Sequence, residues 1–349
     1  MKRTFWKNKR VFLTGHTGFK GSWLSLWLQH LGADVCGYAL SPPTDPSLFV
    51  LAEVHRGMES IEGDIRDLKK LQATMNKFNP EIVIHMAAQS LVRESYLSPV
   101  ETYNTNVMGT VHVLEAMRKH PDVKSCVIVT SDKCYENRET LEPYCEDEPM
   151  GGHDPYANSK GCAELVTSAY RRSFFSDRTI ASARAGNVIG GGDWAQDRLV
   201  PDIMRALQKG EPVKIRNPDA IRPWQHVLEP LHGYLLLCEK LYSRPDFEYA
   251  EGWNFGPNKV DVLNVSEIAD QLVSLWGKGT WVATQNEDNL HEATLLNLDS
   301  FKAQEKLEWQ PRLNIKTALK WIVDWHRAML SEKNMRDFSL EQIQKYEMT

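Results

Sequence analysis

The segment Thr14-Gly15-His16-Thr17-Gly18-Phe19-Lys20-Gly21 constrains this chain more than any other. It comes after a short β-rich run at residues 11–14 and opens a helical pattern over residues 22–31. Three glycines spaced G-x-x-G-x-x-G between a strand and a helix meet three needs at once. They allow a tight turn, a backbone that can approach a pyrophosphate, and close packing of helix on strand. The helix start adds unpaired N–H groups and the positive end of a dipole, which suit phosphates. A dinucleotide site built on Gly15, Gly18 and Gly21 is the expectation.

The alternation of elements after this turn fits that expectation. Apolar runs at 11–14, 34–39, 82–85, 126–130 and 179–183 read as strands, and 22–31, 68–78, 100–119 and 158–175 have helical length and spacing. Strands alternating with helices imply βαβ units, so the fold class is α/β with a doubly wound parallel Rossmann sheet. After about Asn187 the chain grows richer in Gly, Pro and Trp, with helices expected at 199–209, 227–241, 265–276 and 315–329. The domain reading is residues 1–186 for the dinucleotide and 187–349 for a smaller α/β substrate region, with some of its chain returning to the sheet. The charged tail after Ser331 is expected to be loosely held.

Composition narrows the function classes. A formal charge of −5 over 349 residues offers no strong positive field for nucleic acid or a membrane surface. The basic start (Lys2, Arg3, Lys7, Lys9, Arg10) runs into glycines rather than a signal-peptide core, and no apolar run approaches the ~20 residues of a membrane span. A cytoplasmic protein is expected. The six cysteines are scattered without a C-x-x-C pair and read as buried thiols, and no His or Cys spacing suggests a metal.

Two places bear on the dinucleotide. Rossmann sites usually carry an acidic residue after the second strand for the adenosine ribose. Here Gly37-Tyr38-Ala39-Leu40-Ser41-Pro42-Pro43 has neither that acid nor an arginine for a 2′-phosphate, which leaves NAD versus NADP open locally, with Asp45 as a loop substitute. Gly63-Asp64-Ile65, after a third strand, sets the Asp64 carboxylate either against an adenine amino group or as the cap of the 68–78 helix.

Two further segments carry reactive groups. In Tyr156-Ala157-Asn158-Ser159-Lys160 the i, i+4 spacing puts a phenol and an ammonium on one helix face, where the cation favours phenolate. That is the base a nicotinamide reaction needs. Ser131-Asp132-Lys133 stands at the end of the fifth strand, where ligands of doubly wound sheets bind. Ser131 is a donor to a sugar hydroxyl or the reacting oxygen, and Asp132 and Lys133 form an acid–base pair on the same lip.

With these motifs, and with His85-Met86-Ala87-Ala88-Gln89 and Arg184-Ala185-Gly186-Asn187-Val188-Ile189-Gly190, the chain resembles the nucleotide-sugar branch of the extended short-chain dehydrogenases from about Lys9 to Met329. The resemblance implies bound NAD and a nucleotide-sugar substrate. Within that branch 4-epimerases carry small neutral residues after the serine, whereas 4,6-dehydratases carry an aspartate that expels the C6 hydroxyl, so Asp132 implies a dehydratase. The usual next residue is a glutamate that removes the C5 proton. Lys133 departs from that pattern and, with 190–194 and 222–227, is similar to the members acting on cytidine-linked hexoses.

By the same resemblance Thr17, Phe19 and Lys20 line the pyrophosphate turn, and Asp64 and Ile65 lie on the adenine side. Ala87, Ala88, Gln89 and Asn106 meet the nicotinamide half. Asn187 contacts the sugar or its phosphate, and Arg198 and Arg222 meet the diphosphate. His291 stands where thymidine-linked enzymes keep an arginine. Of the tryptophans, Trp23, Trp27, Trp321 and Trp325 have core spacing, while Trp194 and Trp224 fall in site loops. The helices at 100–119 and 158–175 resemble those through which the family dimerises, so a homodimer or dimer of dimers is implied. Another nucleotide-sugar dehydratase, a 4-epimerase and a non-catalytic dinucleotide-binding regulator remain as alternatives at this point.

Overall fold

The computed structural model describes residues 1–140, 142–243, 247–284 and 296–349. Its strands in the first half are β1 (Arg10–Thr14), β2 (Asp34–Ala39), β3 (Glu59–Glu62), β4 (Ile82–His85), β5 (Ser125–Val129) and β6 (Thr179–Ala185). The second half adds β7 (Asn187–Ile189), β8 (Val213–Ile215), β9 (Ile221–His226), β10 (Gly252–Phe255), β11 (Val262–Asn264) and β12 (Trp281–Ala283). One seven-stranded parallel sheet runs in the order β10-β6-β5-β4-β1-β2-β3. The chain winds outward from β1 through β2 to β3, then crosses back to β4 and winds the other way. The crevice at this reversal, between the carboxyl ends of β1 and β4, is where such sheets take ligands.

The helices that matter to the site are α1 (Phe19–His30), α2 (Leu68–Phe78), α3 (Gly109–Arg118), α4 (Pro155–Phe174), α5 (Leu199–Lys209), α6 (Leu228–Ser243), α7 (Val265–Trp276), α8 (Ile315–Leu330) and α9 (Met335–Met348). Because helices cover both sheet faces, the central strands are apolar throughout, and every residue of β4, β5 and β6 is buried. One face packs Trp23, Trp27 and Leu28 of α1 with Leu235 of α6 and Tyr346 of α9. The opposite face packs Leu71 of α2, Val113 and Met117 of α3, and Phe12, Val83 and Ile128 of the strands. A third cluster joins α5, α7 and α8 with β8 and β9 around Met204, Leu272, Ile322 and Trp224. No helix among the described residues is long and apolar enough to cross a membrane.

The expected α/β alternation is present, with instructive differences. The helix expected at 100–119 is interrupted by a π-helical turn over Asn104–Met108, which swings Asn106 inward. Such turns recur at functional sites. The helix expected from 158 begins at Pro155, because Asp154 caps it by accepting from Ala157 N at 2.8 Å. The tail after Ser331 is not loose. Asn334 caps α9, which buries Ile343 and Tyr346 against α1, and Trp27 Nε1 donates to Glu347 at 2.9 Å. Trp23, Trp27 and Trp325 are fully buried, and Trp321 is packed against the same core.

Candidate active site

The glycine turn forms a close cradle. Gly15 has a φ of +79°, and a Cβ there would stand 2.7 Å from Ala87 N. A Cβ on Gly21 would lie 2.0 Å from the Gly15 carbonyl oxygen, so α1 can sit against the turn only without one. Gly18 N donates to Gly15 O at 3.2 Å and Thr17 Oγ1 to Leu40 O at 2.8 Å. The start of α1 therefore faces a cavity of about 1090 Å³ lined by Gly15, Thr17, Gly18, Phe19, Lys20 and Gly21. A tight backbone turn and open N–H groups at the cavity edge fit a dinucleotide pyrophosphate. The Lys20 ammonium points inward instead of to the rim: it donates to Tyr234 OH at 3.0 Å, and burial, Lys160 and Arg198 push its pKa down to about 7.

The wall beneath is set by a neutral histidine. Thr14 Oγ1 accepts from Met86 N and Ala87 N, each at 3.1 Å, so its proton goes to His85 Nδ1 at 2.7 Å. Thr110 donates to the Asn106 carbonyl at 2.6 Å, so its oxygen takes the His85 Nε2–H at 3.3 Å. Burial, helped by Lys160, holds the His85 pKa down to about 3 and keeps that tautomer uncharged. Ala87, Ala88 and Gln89 line the cavity. Asn106 stands behind them, 2% exposed, with its amide bonded to Gln89 N, Gln89 O and Ser159 Oγ at 2.8 to 2.9 Å. It shapes the wall without being part of it.

Asp64 and Ile65 also line the cavity, and Asp45 is not among its lining residues. The cap of α2 is Asp67, which leaves Asp64 free of that duty. Its carboxylate is gripped by Arg66 Nε and Nη2, and hydrogen bonding to Arg66 holds its pKa below the usual range. Ile65 Cδ1 occupies the space a Cβ on Gly109 would need.

Ser131, Asp132, Lys133, Tyr156 and Lys160 all line the same cavity, at the carboxyl end of β5 and the first turns of α4. Ser131 Oγ donates to Asp132 Oδ1 at 2.9 Å and accepts from Lys133 N at 3.3 Å. Asp132 is 3% exposed, and its Oδ2 has no hydrogen-bond partner among the described residues. Burial raises its pKa against the pull of Lys133, Ser131 and Arg222, which favours the protonated acid.

Tyr156 departs from the sequence expectation. Burial pushes its phenol up to about 12, and the opposing pull comes from a Ser131 hydrogen bond and from Arg198. Lys160 does not supply it: its Nζ donates to Val129 O at 3.3 Å, and burial takes its pKa down to about 8. A helix-start position for Tyr156 does favour phenolate, since Pro155 is the first residue of α4.

The second half of the chain supplies the other wall. Asn187, Trp194, Arg198, Arg222 and Trp224 line the cavity. Arg198 is held by Asp193 at 3.2 Å and Ser90 at 3.0 Å, and the Trp224 indole donates to Leu263 O at 3.0 Å. The Trp194 indole N–H is buried without a partner among the described residues. His291 lies outside the described residues. Sequence reasoning missed Arg216, which lines the cavity, and Tyr234, which holds Lys20 behind it, because both come to the site only in three dimensions; Thr130 needed no such help, standing next to Ser131 in the chain.

Comparisons with known proteins agree with this geometry. Residues 12–322 match the family model described as GDP-mannose 4,6 dehydratase. A CDP-glucose 4,6-dehydratase of Salmonella typhimurium is 54% identical, covering 99% of this chain and 98% of that protein. A UDP-glucose 4-epimerase of Halalkalibacterium halodurans is 28% identical over 91% of this chain and 95% of its own length. Among solved structures, the fold matches that of dTDP-glucose 4,6-dehydratase from Bacillus anthracis in complex with NAD, with a TM-score of 0.79, 19% identity and coverage of 93% and 98%.

Proposed function

Since this chain belongs to the GDP-mannose 4,6-dehydratase family, we propose that it is an NAD-dependent hydro-lyase that converts CDP-D-glucose to CDP-4-dehydro-6-deoxy-D-glucose and water. The observation that carries this reading is Asp132, buried with its pKa raised, standing with Ser131 and Tyr156 in one cavity, which sets an acid beside a base. A 4-epimerase needs no such acid.

Tyr156 takes the C4 hydroxyl proton, and Ser131 bonds the reacting oxygen. Lys160, held by the Val129 carbonyl, keeps a positive charge on the same helix face and orients the nicotinamide ribose. Once C4 is a ketone its α-proton at C5 is acidic, and Lys133, on the same lip as Asp132, is the group that removes it. Asp132 gives its proton to the departing C6 hydroxyl. Gly15, Gly18 and Gly21 would cradle NAD, which when bound would accept the C4 hydride and return it to C6, while C5 takes back the proton that Lys133 removed. Arg198 and Arg222 grip the diphosphate with charge-assisted bonds, and Asn187 and Trp194 meet the sugar. Residues 1–186 hold the dinucleotide and 187–349 chiefly the nucleotide sugar.

The product enters deoxysugar synthesis for surface polysaccharide, in the cytoplasm. Exposed Val100, Met108, Leu165 and Phe174, on the helical stretch before α3 and on α4, support a homodimer through paired helices. Incubation with CDP-, dTDP-, UDP- and GDP-hexoses tests the central reading, with the alkali-induced absorbance of a 4-keto-6-deoxy sugar as readout. Turnover confined to CDP-glucose is expected. Epimerised hexose without loss of water, or a preference for another nucleotide, would overturn it.

A further inference from the structure

Arg184 opens the segment whose later members, Ala185, Gly186 and Asn187, line the cavity, yet its own guanidinium lies behind that wall. It forks onto Glu164, with Nε to Oε1 and Nη2 to Oε2 both at 2.9 Å, and both partners are buried. The remaining acceptor positions of Glu164 are filled by Thr130 Oγ1 and Ser182 Oγ, each at 2.5 Å. Arg184 Nη1 goes on to Tyr135 OH at 2.5 Å and the Glu146 carbonyl at 3.1 Å. One buried ion pair thus ties β6 and α4 to both ends of the turn from Thr130 to Tyr135. That turn carries Ser131, Asp132 and Lys133. Glu164 also extends the line Tyr156, Lys160, Glu164 at i, i+4, i+8 on α4, so its carboxylate lies on the Lys160 face.

We propose that Glu164, held by Arg184, is a positioning residue of the catalytic centre. Through Thr130 it sets the Ser131–Lys133 turn against Tyr156, and through its charge it keeps Lys160 cationic. The inference rests on the dehydratase reading for its catalytic arm.

The charges around Lys160 can be named. Glu164 on its own helix raises its pKa against burial, whereas Cys134 of the neighbouring turn, whose thiol pKa burial holds far up, is neutral there and brings no charge. Lys20 of α1 and His85 of β4 both feel the Lys160 charge, and His85 is neutral. Glu164 itself stays ionised, because Arg184 and the Ser182 and Thr130 hydroxyls outweigh its burial. Removing its charge leaves burial unopposed, so Lys160 must lose its proton at lower pH.

The test uses the full chain with ¹³C-labelled lysine, the Lys160 signal being assigned with Lys160→Met. In Glu164→Gln the Lys160 titration is expected to move down by about one pH unit, with kcat at pH 8 about tenfold lower and KM for CDP-glucose nearly unchanged. A folded Glu164→Gln whose Lys160 titrates as in the wild type overturns the charge role. Thr130→Val leaves the ion pair in place and removes only the tether. It is expected to lower kcat about tenfold without moving the Lys160 titration, and Thr130→Ser to restore the loss. Wild-type kcat in Thr130→Val overturns the tether, and this variant decides if Glu164→Gln does not fold. The titration needs no substrate, so a wild-type enzyme inert toward CDP-glucose would sink the dehydratase reading while the charge role is still measured.

Discussion

The Ser131 hydroxyl donates to Asp132 Oδ1 at 2.9 Å and also acts on Tyr156, lowering the pKa of its phenol against burial. It has one proton to give. When Asp132 is ionised that proton is held by the carboxylate, and Tyr156 must be the donor to Ser131. When Asp132 is protonated it can itself donate, which frees the serine proton for a Tyr156 phenolate. The acid and the base are therefore charged in turn, and the burial that raises the Asp132 pKa favours the productive arrangement.

Asp132→Asn separates the two halves of the reaction. An asparagine amide donates to Ser131 as a protonated acid does, so oxidation at C4 survives while the C6 hydroxyl loses its acid. Product formation should fall by about 10²–10⁴. Reduced nicotinamide absorbance should persist after mixing with CDP-glucose. Product at the wild-type rate would falsify the assignment.

Tyr156→Phe removes one hydroxyl and almost no volume from a buried site, so the fold should survive. Turnover is expected to drop by at least about 10²-fold, with a melting midpoint close to the wild-type value. Near-normal turnover would mean that another group takes the C4 proton.

Lys133 lowers the Asp132 pKa by its charge, which sets the two groups within electrostatic reach on one lip. As the base at C5, it should be required for exchange of that proton with solvent. Lys133→Met run in deuterated water should still oxidise C4 yet incorporate no deuterium at C5. Incorporation at the wild-type rate would reduce the lysine to electrostatic support for the enolate.

Gly21→Ala tests the cradle. Its Cβ would meet the Gly15 carbonyl oxygen at 2.0 Å, and both groups are backbone with no side chain to yield. The variant should lose about 1–3 kcal/mol of stability and bind NAD at least about tenfold more weakly. Calorimetric titration with NAD and thermal unfolding measure the two. Wild-type affinity would show that the turn can open without touching the dinucleotide.

The sheet and the reactive line were legible because their signals are local: a glycine turn after an apolar strand, and a tyrosine and lysine one helical turn apart. Strand β3 was legible in its place before Gly63 but not in its bounds, since Glu59-Ser60-Ile61-Glu62 sits at the sheet edge with a half-exposed pattern and little apolar content. The short strands β7 to β12 owe their pairing to partners far along the chain, as when Trp253 of β10 registers with Ala183 of β6. The surroundings that set the charge of Tyr156 were not legible for a similar reason. Spacing predicts that Lys160 faces the phenol, but only the fold shows the Val129 carbonyl that holds the ammonium and the burial that dominates both groups. The role of Asn106, likewise, depends on a π-helical turn that no periodicity announces.

The C-terminal helix carries a last prediction, about stability. Tyr346 OH on α9 donates to Glu229 Oε2 at 2.7 Å, and Glu229 Oε1 accepts from Leu313 N at 2.6 Å and Arg312 N at 2.9 Å. Glu229 is 1% exposed on α6, and burial raises its pKa despite these three donors. A carboxyl whose folded pKa is raised contributes stability fully below its unfolded value, near ~4.3, and loses it as pH rises through the folded value. Tyr346→Phe removes one donor to the ionised form, so it raises the folded pKa further and makes ionisation costlier. The loss should be about 1–3 kcal/mol at pH 7 and smaller near pH 4, where the carboxyl is neutral with or without the phenol. Because α9 does not reach the cavity, kcat at low temperature should stay unchanged. Urea unfolding at both pH values measures the difference. A loss at pH 7 no larger than at pH 4 would mean that Tyr346 acts by packing on Trp27 and His232 rather than through Glu229.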